Sequence, residues 1–145
     1  MAPPVRETDT MTLAAWAVDC AERVLPFFEE EFPEDPRPRD ALRTLRAGME
    51  TGVFPMAEIR GASLAAHAAA RDAGEDTAAR SAARAAGQAV ATARVPAHAY
   101  GAAAYALQAV RRGAGPVEAD IAVARERDWQ YWHMLGLREK RDPDR

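Results

Sequence analysis

Leu42, Leu45 and Met49 recur at three- and four-residue intervals, which places them on one face of a helix. Between positions 57 and 109 alanine, the best intrinsic helix former, dominates the chain and β-branched residues are few, so no sheet can be placed in the middle. Punctuation then divides the pattern. A first helix is predicted from position 10 or 12 to about 31, kinked at Pro26 and stopped by Phe32, Pro33 and the Asp35, Pro36, Arg37, Pro38 run. A second fits positions 39–50 and ends at Gly52; a third starts after Pro55 and runs to about 73, with Gly74 as its terminator. The fourth spans about 76–93, Pro96 restarts the chain as a fifth to about 112, and Pro116 opens a sixth through 135. The expectation is an all-α fold, a single compact bundle of about six helices whose central members are Ala-rich. Small side chains there let helix axes approach closely.

A mobile arm over residues 1–9, one helical domain over 10–137 and a charged tail over 138–145 complete the expected organisation. The likeness between the Ala-rich stretches around His67 and around His98 follows from composition and does not establish a repeat.

Length and charge narrow the function classes. At 145 residues the chain can enclose a core without staples. With 19 Lys and Arg against 22 Asp and Glu it carries a net charge of −3, lacking the basic excess that nucleic-acid binding calls for. The single cysteine cannot close an internal disulfide, and the acids and prolines of the first residues do not form a signal peptide, which together point to the cytoplasm. The longest uncharged stretch, 95–110, is broken by Pro96 and Gly101 and is too weakly apolar for a membrane span.

Candidate chemistry rests on a few side chains. His67 and Arg71, four apart, share a helix face, and a fixed cation disfavours the charged imidazole. His98 lies just inside a helix start, where the dipole has the same effect. His133 follows Trp129 by four and Trp132 by one, so Trp129, Trp132 and His133 can share a face that caps the core, with Tyr131 turned elsewhere toward an interface. Cys20, one turn after Trp16, reads as a buried small hydrophobe. As a candidate ligand set these are Trp16, Cys20, His67, Arg71, His98, Trp129, Trp132 and His133. No spacing supports a metal site or a cofactor, and phosphate loops, nucleophile elbows and zinc-protease motifs are absent, so no catalytic residue is assigned. Glu30, Glu31, Glu34 and Asp35 form an acidic run that, with Tyr131, is the candidate partner surface. Arg37 and Arg39 are expected to salt-bridge the acids of the first helix, the alternative being an anion site.

The segments Leu13 to Pro26, with Trp16, Cys20 and Glu22 in a Trp-Ala-x-x-Cys-Ala-Glu pattern, and Arg37-Pro38-Arg39-Asp40-Ala41 are similar to the immunity-protein-five-like family of bacterial immunity proteins. Weaker, composition-driven matches follow around His67, Gln88 and His98, so that the likeness covers about 13–135. Gln88 and Arg94 stand where the family often shows histidine. The resemblance implies an intracellular helical protein that neutralises a toxin.

Three functional readings follow. The first is an immunity or resistance factor that occludes a protein partner with one helical face, with neither cofactor nor catalysis. The second is a small-molecule binder, or an enzyme of specialised metabolism, with Trp16, His67, His98 and Trp129 lining an inter-helical pocket. The third is a homodimeric scaffold paired through Tyr100, Tyr105 and Leu107.

Overall fold

The computed structural model describes the backbone over residues 7–141 and the side chains over residues 10–140. The described residues form seven helices: α1 (Glu7–Val24), α2 (Pro26–Glu29), α3 (Arg37–Thr51), α4 (Met56–Asp72), α5 (Ala78–Ala91), α6 (His98–Gly113) and α7 (Ala119–Arg141). The fold is the expected all-α bundle, with six long helices and one short turn. That turn, α2, comes from Pro26. Having no N–H to bond back to residue 22, proline ends α1 at Val24 and opens a separate four-residue helix, where a kinked continuous one was expected.

The other boundaries lie within a few residues of their predicted places and have local causes. Gly52 closes α3 in the left-handed conformation, at φ 74°, and its N–H reaches the carbonyl of Gly48 across 2.8 Å. Thr77 caps α5: its hydroxyl accepts from the backbone N–H of Arg80 at 3.1 Å. Pro116 does not start the last helix but lies in a turn leading to Ala119. At its other end α7 runs through Arg141, so positions 138–141, expected as tail, are helical. Residues 1–6 and 142–145 lie outside the described residues.

Two kinds of core meet in the bundle. The early helices supply bulk: Leu13, Val24, Leu25 and Phe28 from α1, α2 and their junction, and Leu42 and Leu45 from α3, are all at most 4 % exposed. The middle helices supply methyl groups. On α5 alone Ala79, Ala82, Ala83, Ala85, Ala86 and Ala89 are buried, and they face buried alanines of α4 and α6. Burying each methyl stabilises by only about 0.8 kcal/mol, but the small side chains let three helices lie close together. α5 is the central element, flanked by α4 and α6 and touching α1, α2 and α3 on its inner side; α7 closes the bundle against α6 and α1. No helix among the described residues is long and apolar enough to cross a membrane.

Candidate functional site

Although α5 is largely buried and rich in alanine, Arg80, Arg84 and Gln88 recur every four residues and so stack along its outer face. The flanking helices complete a polar seam over them. From α4, Nδ1 of His67 lies 2.8 Å from a guanidinium nitrogen of Arg84. A guanidinium can only donate, so this nitrogen of His67 is the acceptor and its ring proton sits on Nε2. From α6, Nδ1 of His98 meets Oε1 of Gln88 at 2.7 Å, an arrangement in which His98 donates. The two rings therefore hold opposite hydrogen-bonding roles at the same ring position. Burial first, then the nearby charges of Arg84 and Arg71 and the ring of His98, holds the pKa of His67 below its ordinary value. The seam closes over two glycines. A methyl group at Gly87 would stand 2.7 Å from Nε2 of His67, and one at Gly101 would stand 2.8 Å from Oε1 of Gln88.

Beyond His67 and Arg84 the seam opens into a concavity of about 370 Å³, lined by Glu75, Asp76, Arg80, Arg84, Tyr105, Gln108 and Arg112. Asp76 adopts a positive φ of 56°, a conformation that Asp tolerates better than most residues. Its carboxylate meets Arg112 at 3.2 Å. Arg112 also donates to Ser81 Oγ at 2.9 Å, and Ser81 donates in turn to Gln108 at 2.8 Å. Of the concavity's lining residues, none belongs to the candidate ligand set read from the sequence. The missed signal was two arginines four apart on an otherwise apolar, Ala-rich helix.

Where α1, α6 and α7 meet, Trp16 is buried and donates from its indole nitrogen to the carbonyl of Gln130 at 2.8 Å, its ring edge-on to Tyr100. Cys20 has no exposed surface, and burial, aided by Glu126 and Asp19, pushes its thiol up, away from the reactive thiolate. Trp129 is stacked on His133, centroids 4.6 Å apart, and the Arg23 guanidinium lies 4.0 Å from its ring centre. His133 is taken up by Asp19, 2.7 Å away. Trp132 departs from the expected cap: it is 67 % exposed and packs edge-on against Tyr131, itself 60 % exposed. The three histidines do not converge. His67 and His98 share the seam, whereas His133, on α7, is held by Asp19 of α1.

The acidic run forms the wall of a second, more open concavity of about 610 Å³, lined by residues 31–37. Arg39 bridges back to Glu22 and Glu29 at 2.5 and 2.7 Å, as expected, whereas Arg37 does not reach the acids of the first helix. Arg37 ties Asp35 to Asp72, at 2.7 and 2.9 Å, and holds the Asp35 carboxyl below its usual range. Glu30, Glu31 and Glu34 are exposed and form no ion pair with any described residue. Among the described residues no group of three or more His, Cys, Asp or Glu side chains is placed to hold a metal ion.

Residues 4–136 match the family described as Imm-5 like putative immunity protein. No curated protein and no solved structure matches the chain.

Proposed function

Since the chain belongs to the Imm-5 like family, we propose that it is an immunity protein that neutralises a protein toxin by binding and covering it, without chemistry of its own. The acidic ledge between α2 and α3 carries this reading. Glu30, Glu31 and Glu34 are exposed without an internal ion pair, while the neighbouring Glu22, Glu29 and Asp35 are consumed by Arg39 and Arg37. Pro33, Pro36 and Pro38 stiffen the segment, and Phe32 packs on Phe28 with ring centroids 5.2 Å apart, so the three carboxylates are presented from a fixed frame. Free negative charge on a preorganised support suits a basic partner surface, such as a nucleic-acid-cleaving toxin must offer to phosphates. A non-catalytic role also fits the inert setting of Cys20 and the internal partners already held by His67, His98 and His133.

The test is capture of partners by the tagged chain from its native host, followed by expression of each captured protein alone. A captured protein that arrests growth, and whose effect the chain relieves, supports the reading. The triple variant Glu30→Lys, Glu31→Lys, Glu34→Lys should then lose protection and binding while melting like the parent. Retention of a small molecule with no protein partner overturns the immunity reading; equal protection by the triple variant overturns the ledge as its surface.

A further inference from the structure

We propose that the concavity between α5 and α6 is a binding site for a small phosphate-bearing anion, received by Arg80, Arg84 and Arg112. This stands independently of the immunity reading. Three guanidinium groups from two helices line one space of about 370 Å³, within the size range of small-ligand pockets. How they are held points to a ligand. Arg84 is oriented by Nδ1 of His67 at 2.8 Å and Arg112 by Ser81 Oγ at 2.9 Å, both uncharged acceptors that fix a guanidinium without cancelling its charge. Arg80 has no hydrogen bond or ion pair from its side chain among the described residues. Two carboxylates share the lining. Asp76 contacts Arg112 at 3.2 Å but its side chain is 88 % exposed, which leaves that pair largely screened. Glu75, also exposed, sits at the rim.

Three like charges facing one space repel one another, and an anion among them relieves that repulsion. Guanidinium forks donate paired hydrogen bonds to phosphate oxygens, and forks arriving from two helices reach different oxygens of one tetrahedral group. The first turn of α5, from which Arg80 projects, adds the partial positive charge of a helix N-terminus. Gln108 and Tyr105 supply further donors, so the lining is complementary to an oxyanion over most of its surface.

Titration of the full chain with inorganic phosphate and with pyrophosphate, at constant ionic strength set by chloride, tests the assignment by calorimetry and phosphorus NMR. Saturable one-to-one binding is expected. Arg80→Gln should weaken it by about tenfold or more without lowering the melting temperature, because no hydrogen bond or ion pair of the unliganded chain is lost. Arg111→Gln is the charge control: Arg111 lies next in sequence to Arg112 but outside the concavity, paired with Asp120 at 3.0 Å, and its loss should leave binding unchanged. Absence of saturable binding of both probes overturns the site, as does binding that Arg80→Gln and Arg111→Gln weaken equally. Saturable binding of succinate with neither phosphate probe overturns the phosphate assignment.

Discussion

Arg84 donates a 2.8 Å hydrogen bond to Nδ1 of His67, and that bond exists only while the imidazole nitrogen is unprotonated. The consequence is a defined dependence of stability on pH. The pKa of His67 is held below its ordinary 6.5, chiefly by burial and then by Arg84, so between the two values the unfolded chain binds a proton that the folded chain refuses. The stability due to neutral His67 is therefore complete above about pH 6.5 and is lost as pH falls toward the lower folded value. Urea unfolding at pH 7.5 and 5.5 should show a larger loss for the parent than for His67→Gln, which keeps an acceptor for Arg84 but cannot titrate. Equal losses in the two proteins would remove His67 as the origin.

Gly87 reverses a general rule. Replacing glycine by alanine inside a helix ordinarily stabilises by about 0.5–1 kcal/mol. Here the new methyl would meet the His67 ring at 2.7 to 2.9 Å, and that ring is fixed by Arg84. Gly87→Ala should cost about 1–3 kcal/mol through overpacking. In a His67→Ala background the same change should become neutral or favourable. A double-mutant cycle by chemical denaturation reads the difference, and simple additivity of the two changes would refute the contact.

Arg23 and Glu126 form a two-pronged pair, at 2.7 and 3.0 Å, that clips α1 to α7. The carboxylate of Glu126 is nearly buried, whereas Arg23 is partly open to solvent and lies over Trp129. Arg23→Ala, which strands that carboxylate, should destabilise by about 1–2 kcal/mol, a figure reduced for the exposure of Arg23. Glu126→Gln should cost less, since a neutral amide is easier to leave inside. Guanidinium chloride midpoints of the two variants decide the order, and a larger loss for Glu126→Gln would contradict it.

Much of the fold could be read from residues that act locally. Gly52, Pro55 and Gly74 set helix ends by backbone geometry alone, so those boundaries needed no knowledge of neighbours. Pro26 was legible as a disturbance but not as a complete break, because a kink and a break differ in what surrounds the unpaired carbonyls. Side-chain direction on α7 was harder to read. Trp132 and His133 follow Trp129 by three and four residues, which turns them about 100° apart around the helix. That angle puts His133 against Asp19 and Trp132 toward solvent. The arginine concavity was invisible for a different reason. Arg80, Arg84 and Arg112 come together through the relative setting of α5 and α6, and alanine faces have no large and small side chains whose interlocking would announce that setting.

The methyl-lined packing of α5 between α4 and α6 leaves the protein unequally tolerant of change. A core of large side chains can exchange one shape for another, but a core of alanines has nothing smaller to fall back on except glycine and no slack for anything larger. Random substitution is accordingly filtered hard along the inner faces and weakly along the outward ones. Neutral drift is thereby channelled to the exterior, so that the outer surface can diversify while the scaffold beneath it stays almost frozen.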